Sequence, residues 1–344
     1  MEETPGPPPA DVNRLVADLV GSLGITVNAD RVTEILTTAA LLGLDGTRRL
    51  DLKITASALA EMRDAFLMFA PYGDRPKVTI FGSARTSSSD PLYTQTHDVA
   101  KALASEGWMV VTGAGPGIML AAMEGAGIDA SIGVSIRLPF ETRANDVIHD
   151  DPKHVSMKYF FTRKLMLVKE SRGFIAMPGG FGTLDETLEL LTLQQTGKAE
   201  PTPIVLLDVP GGTYWRGFTT FVRNELASRR LVAPDDLDRV LVTDSVEAAV
   251  KEILGFWRNY HSMRWVGPRL IVRTRHELST EQIAGLNEQF GDRLASGSIE
   301  RTPPLPPEVS GRDEIDLPRL AMRWQQHHVG DLHHLIRAIN AAEP

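Results

Sequence analysis

Residues 178–186 read Pro-Gly-Gly-Phe-Gly-Thr-Leu-Asp-Glu and carry the strongest chemical signal in the chain. Gly179, Gly180 and Gly182 leave three of four positions without a side chain, so successive backbone N–H groups can converge on an anion. A helix starting just beyond turns its positive end toward the same point, which suits a phosphate. Thr183 adds a hydroxyl. Glu186 falls in the first turn of that helix, beside whatever the glycines hold. A carboxylate there can orient or deprotonate water. Thr183-x-x-Glu186 is also a capping box, in which the carboxylate serves backbone N–H groups and stabilises the helix by about 1 kcal/mol. Local sequence by itself favours the cap.

Three further segments could share this chemistry. Gly113-Ala114-Gly115-Pro116-Gly117-Ile118-Met119 follows an apolar run. Ile118 stands where the dinucleotide fingerprint needs its last glycine, and no Gly-Lys-Ser/Thr marks a Walker loop. What remains is a glycine-rich entry into a helix, open to an anionic group. Phe81-Gly82-Ser83-Ala84-Arg85 follows another apolar run, with Gly82 and Ser83 offering backbone N–H groups and a hydroxyl. By itself it equally describes a strand-to-helix turn. Met157 to Met166 predicts a helix bearing Arg163 and Lys164 side by side. Adjacent helical residues splay by about 100°, so the two cannot do one job. Either is a solvated surface cation, the sharper alternative being an arginine fork at Arg163 facing a carboxylate or phosphate.

These loops need a scaffold. Lys77–Phe81, Trp108–Thr112, Ile132–Ile136, Phe174–Met177 and Ile204–Leu207 are short apolar runs, most followed by glycine and most separated by helix-length segments. The alternation predicts an α/β fold: a parallel sheet with helices on both faces and a ligand crevice beyond its strand ends. The predicted organisation is a disordered tail over 1–10, a helical N-terminal region over 11–74, the central α/β domain over 75–255 and a small C-terminal flanking region over 256–344. Leu15, Leu19 and Leu23 mark the first helix. In the C-terminal region the expected elements are a strand at Arg269–Val272, a helix at Thr280–Phe290, an extended linker at Pro303–Pro307 and a final helix through Leu332, Leu335, Ile336 and Ile339. No internal repeat is visible.

Composition narrows the function classes. The 344 residues carry a formal charge of −8, against the basic face expected of a protein gripping long nucleic acid. A small phosphorylated ligand is compatible with that charge. No apolar run approaches the roughly 20 residues of a membrane span, so no membrane partner is expected. The acidic, proline-rich start lacks the order of a signal peptide. Cysteine is absent, which removes disulfides and thiolate metal sites and fits a cytoplasmic protein. His327, Asp331 and His334 could share a helix face and hold zinc, but histidines beside a packed apolar stripe are the commoner reading, and no metal is assigned.

Taken together, GAGPGIM, the Arg163-Lys164 pair followed by Met166, and PGGFGTLDE resemble the LONELY GUY (LOG) family of cytokinin-activating phosphoribohydrolases, in particular its longer bacterial relatives. That family's signature is P-G-G-x-G-T-x-x-E preceded by a helix bearing Arg-Lys. The resemblance covers roughly residues 75–255 and reverses the preference on Glu186. It implies a Rossmann-like fold, a homodimer or higher homo-oligomer with the active site near the subunit interface, and no organic cofactor. It makes Arg163 and Glu186 the catalytic pair. It also implies that Gly179, Gly180, Gly182 and Thr183 hold a 5′-phosphate and that Gly113, Gly115 and Gly117 line the nucleotide pocket. Gly82, Ser83, Met157 and Lys164 complete the expected substrate- and phosphate-binding set. The implied reaction is hydrolysis of the N-glycosidic bond of adenine-type nucleoside 5′-monophosphates, N6-prenylated ones included, as in cytokinin biosynthesis or AMP nucleosidase turnover. No residue in these segments stands out as the acid for the departing base. The rival readings are a pyridoxal-phosphate decarboxylase anchored on Lys164 and a non-catalytic nucleotide sensor.

Overall fold

The computed structural model describes residues 10–138, 144–325 and 330–342. Of the tail expected over residues 1–10, residues 1–9 lie outside them, as do His327 and His328, and Ala10 is instead the first residue of a helix. The chain divides into two compact units, Met1–Arg63 and Asp64–Pro344.

The first unit is helical: α1 (Ala10–Ser22), α2 (Ala29–Leu44) and the first part of α3 (Arg49–Phe69), which crosses the division. α1 packs on α2. The helix expected around Leu15, Leu19 and Leu23 forms, but those leucines are exposed, and Val16 and Val20 are buried instead. The true apolar stripe is displaced by one residue, about 100° around the axis.

In the second unit the chain alternates strand and helix: β1 (Lys77–Phe81), α4 (Pro91–Ser105), β2 (Met109–Thr112), α5 (Ile118–Ala126), β3 (Ser131–Ile136), β4 (His154–Met157), α6 (Phe160–Lys169), β5 (Gly173–Ala176), α7 (Phe181–Gln195), β6 (Ile204–Leu207), α8 (Tyr214–Phe221), β7 (Val240–Thr243) and α9 (Val246–Gly255). The strands form one seven-stranded parallel sheet in the order β4-β3-β2-β1-β5-β6-β7. Central strands β1, β2, β5 and β6 are buried along their whole length, which is why each reads as an unbroken apolar run. β4 and β7 are the two edges. Being only partly buried, HVSM and VLVT lack that run and escaped the sequence reading.

Beyond α9 the chain builds a second sheet, with β8 (Tyr260–Val266), β9 (Arg269–Thr274), α10 (Thr280–Phe290), β10 (Leu294–Arg301), α11 (Pro306–Gly311), β11 (Arg319–Trp324) and α12 (Leu332–Ala341). It is antiparallel, in the order β10-β11-β9-β8, over its own apolar core. The strand–strand–helix unit occurs twice, with RLIVRT on β9 and RLAMRW on β11 as its two central strands. The duplication is topological, and a reading for sequence periodicity does not detect it. The linker expected at Pro303–Pro307 instead turns into α11. Pro306 and Pro307 preset the helical φ, and the Glu308 carboxylate accepts from the Leu305 N–H at 3.0 Å.

α12 ties this sheet to the parallel one. Arg337 reaches Glu252 at 2.8 Å, and the buried His333 donates from Nε2 to the Thr202 carbonyl at 3.2 Å. Asp331 pairs with Arg293 at 2.6 Å, and no metal-binding group of three occurs among the described residues. Burial pushes the His333 pKa down to about 3. Between about 6.5 and 3 the unfolded chain therefore binds a proton that the folded one refuses, so stability falls as pH drops through that window. We expect the Tm difference between wild type and His333→Gln to narrow as pH is lowered from 7 to 4. A constant difference across calorimetric scans would contradict this account.

Candidate active site

β1 pairs with β2 on one side and with β5 on the other, both parallel. The chain runs outward from β1 to β4 and then returns to the opposite flank of β1, which makes the β1/β5 junction the switch point where such sheets open a crevice. The loops after β1, β2 and β5 meet there around a cavity of about 910 Å³. That volume lies in the range of small-molecule sites.

Two glycines fit the first loop onto the second. A Cβ on Gly82 would overlap the Ile118 side chain, and one on Gly117 would overlap the Ser83 carbonyl. Gly117 also has φ +65°, a left-handed conformation that glycine adopts without penalty. The first N–H of α5, from Ile118, donates to the Ser83 carbonyl at 3.0 Å. Between them Ala114 is held at φ 58° by hydrogen bonds to Thr112 and Asn145. Left-handed backbone in an alanine is strained, and it persists where surrounding contacts over-determine it.

The third loop ends in α7, whose N-cap is Gly180. Thr183 is thus the third helical residue, its hydroxyl packed against Gly179, and Glu186 lies in the second turn. The capping box does not form. Its carboxylate turns instead toward Arg163, with Oε1 3.6 Å from Nη1. Arg163, 8% exposed, donates from Nε to the Val134 carbonyl at 2.9 Å and lies flat on Gly113, where a Cβ would collide with it. Burial pushes Glu186 up to about 7 against the opposing pull of the Arg163 charge, and burial lowers Arg163. Glu186 therefore titrates near neutrality beside a helix N-terminus whose free N–H groups can receive an anion.

The cavity wall includes Gly82, Ser83, Gly113, Gly115, Arg163 and Glu186, together with Gly179, Gly180, Gly182 and Thr183. Three expected residues stand elsewhere. Lys164, one helix step from Arg163, points to Asp185 (3.2 Å) and Glu189 (2.7 Å). Met157 is buried in the sheet beneath. Gly117 serves the loop packing described above. Residues the sequence reading missed include Arg85, Ser135, Arg137, His149, His154 and Tyr214. Tyr214 donates from its hydroxyl to the Gly179 carbonyl at 2.6 Å, and its own N–H is held by Asp208 at 3.1 Å. Arg85 closes the Phe81–Arg85 loop and Ser135 lies within the Ile132–Ile136 run, while the others sit in stretches without a local signature.

A crevice at the switch point, a glycine loop feeding a helix and a buried Arg–Glu pair define a Rossmann-like α/β protein with a cavity at its strand ends. A family model described as "Possible lysine decarboxylase" matches residues 115–253. A cytokinin riboside 5′-monophosphate phosphoribohydrolase from Mycobacterium marinum is 30% identical over 156 residues, 44% of this chain and 80% of that protein. Its namesake from Mycobacterium tuberculosis is 29% identical over 157 residues, 45% of this chain and 81% of its own. A molybdenum cofactor carrier protein from Chlamydomonas reinhardtii matches 52% of this chain and 98% of its own at 24% identity and a TM-score of 0.37. The chain belongs to the LOG family. No helix among the described residues is long and apolar enough to cross a membrane.

Proposed function

We propose that this chain hydrolyses the N-glycosidic bond of purine nucleoside 5′-monophosphates, AMP or N6-prenylated AMP, to the free base and ribose 5-phosphate. The observation that carries the reading is the Arg163–Glu186 pair opening into the same cavity as the Gly179–Thr183 cradle. The 5′-phosphate rests on the cradle and the α7 N-terminus. Breaking the bond builds positive charge at C1′ and the ring oxygen. Ionised Glu186 beneath the ribose stabilises that charge and takes a proton from the water whose oxygen bonds to C1′, while the base leaves with the electron pair of the broken bond and takes up a proton in turn. Arg163 keeps Glu186 charged in a site that would otherwise protonate it. Binding of the remote phosphate positions the sugar.

A lysine decarboxylase would need a lysine to anchor pyridoxal phosphate. None lines the cavity among the described residues, and Lys164 is engaged by two carboxylates outside it. The residues present do not fit that cofactor.

The decisive experiment incubates the protein with a panel of nucleoside monophosphates and separates bases from ribose 5-phosphate by chromatography. Saturable AMP binding without adenine release would leave a nucleotide sensor instead. We further propose a homodimer. In its support, Phe160, Phe161, Leu165 and Leu188 are exposed on α6 and α7, and Phe181 is 93% exposed beside the cavity. Light scattering on the eluted protein should give twice the chain mass, and a monomer would remove this part of the reading.

A further inference from the structure

Ser135 and His154 form a hydrogen-bonded pair in the cavity wall, and the reaction above gives neither a role. Ser135 is the next-to-last residue of β3, and His154 opens β4. His154 Nε2 lies 2.8 Å from Ser135 Oγ. The ring spans the β3 backbone at Gly133, where a Cβ would stand 3.2 Å from Cδ2. The imidazole also lies against the backbone of His149, in a contact that favours its charged form, as donation to a carbonyl does. In the tautomer that donates on that side, Nε2 is left as an acceptor. Burial lowers the His154 pKa and so keeps the ring neutral. In that tautomer the Ser135 hydroxyl gives its proton to Nε2 and keeps its lone pairs to accept from a ligand in the cavity it lines. At this point the wall accepts hydrogen bonds and does not donate them.

Sheet geometry determines which part of a nucleotide meets that acceptor. The cradle follows β5 and Ser135 is on β3; the order β3-β2-β1-β5 separates them by three strand spacings, about 14 Å. Arg163 lies between, bonded to the Val134 carbonyl next to Ser135 and facing Glu186 at its other end. With the phosphate in the cradle and C1′ at Glu186, the base extends toward β3 and β4.

We propose that Ser135, oriented by His154, is a specificity-determining acceptor for the base edge, favouring purines with an exocyclic 6-amino N–H over 6-oxo purines. The proposal rests on the nucleotide-hydrolase reading of the same cavity. A 6-amino group, free or singly substituted, keeps an N–H to donate. A 6-oxo group sets acceptor against acceptor, and relieving that clash needs a tautomer change that strands the His149 carbonyl.

The test compares kcat/KM for AMP and IMP in wild type, Ser135→Ala and His154→Phe. The wild type should prefer AMP by about 10- to 100-fold. In Ser135→Ala the preference should fall to within about threefold, mainly through loss on AMP, while inhibition by ribose 5-phosphate stays unchanged. His154→Phe keeps a ring of similar size but frees the hydroxyl to donate, so its preference should shift toward IMP. Equal use of AMP and IMP by the wild type, or a wild-type ratio in Ser135→Ala, overturns the inference and leaves the hydrolase reading standing. Should neither nucleotide release base, the hydrolase reading falls, and calorimetric Kd values for AMP and IMP on the same proteins decide. An AMP preference lost in Ser135→Ala supports the acceptor, and equal affinities overturn it.

Discussion

Glu186→Gln lowers kcat/KM for AMP by about 10²–10⁴-fold, the yield of a positioned acid–base group, and leaves the fold in place. Glutamine keeps the volume of the side chain but can neither stabilise positive charge at C1′ nor accept a proton from water. The fold should tolerate the change because α7 does not depend on this residue. Its N-cap is Gly180, and no side chain caps it. Removing Glu186 also removes a carboxyl whose burial opposes its ionisation. Arg163 retains its bond to the Val134 carbonyl. We therefore expect a Tm within about 3 °C of wild type. The pH profile gives an independent check. With Glu186 at about 7 in the free protein, wild-type kcat/KM should fall tenfold per pH unit below that point, as the carboxylate takes up its proton. The residual activity of the glutamine variant should lack this limb. Hydrolysis at the wild-type rate by Glu186→Gln would remove the proposed mechanism.

Arg163→Met costs about 10²–10³-fold at pH 7 and recovers in part at pH 9. The Arg163 charge is the chief influence holding Glu186 down against burial. Without it the carboxyl rises further, by about 1–3 pH units, and at pH 7 most molecules carry the inactive protonated form. Raising the pH restores ionisation but not the lost support of the guanidinium, so recovery is incomplete. Stability moves in a defined direction. A carboxyl with a folded pKa above its unfolded value of 4.5 destabilises the fold progressively as pH rises from there through the folded pKa, and the loss then levels off. In Arg163→Met that window extends above 7, so the stability deficit relative to wild type should grow between pH 7 and 9. If the variant keeps its acid limb near 7, Arg163 does not govern Glu186.

Much of the scaffold was legible in the residues. KVTIF and IVLL are strands to the residue, and Thr280–Phe290 is a helix with the predicted ends. Runs buried on both faces, and helices bounded by a good cap such as Ser279, advertise themselves locally. The glycine loops were visible for a similar reason, since close backbone approach demands glycine wherever it occurs.

Sequence alone determined the alternation of strands and helices, the three loops at the strand ends and the residue types available for chemistry. Tertiary structure alone decided how they are used. Arg163 and Lys164 are adjacent cations with equal claims on paper, and only the packing of α6 on the sheet sends one to Glu186 and the other to Asp185 and Glu189. Thr183-x-x-Glu186 satisfies the capping pattern, yet α7 begins two residues before the threonine, with Gly180 as its N-cap, so the carboxylate is free to face an arginine. Ser135, His154 and Tyr214 reach the cavity from three different elements, β3, β4 and the start of α8. Local periodicity records which face of an element is buried. It holds no record of which distant side chain that face meets, because such contacts depend on strand order and helix rotation, and these are settled only when the whole sheet closes.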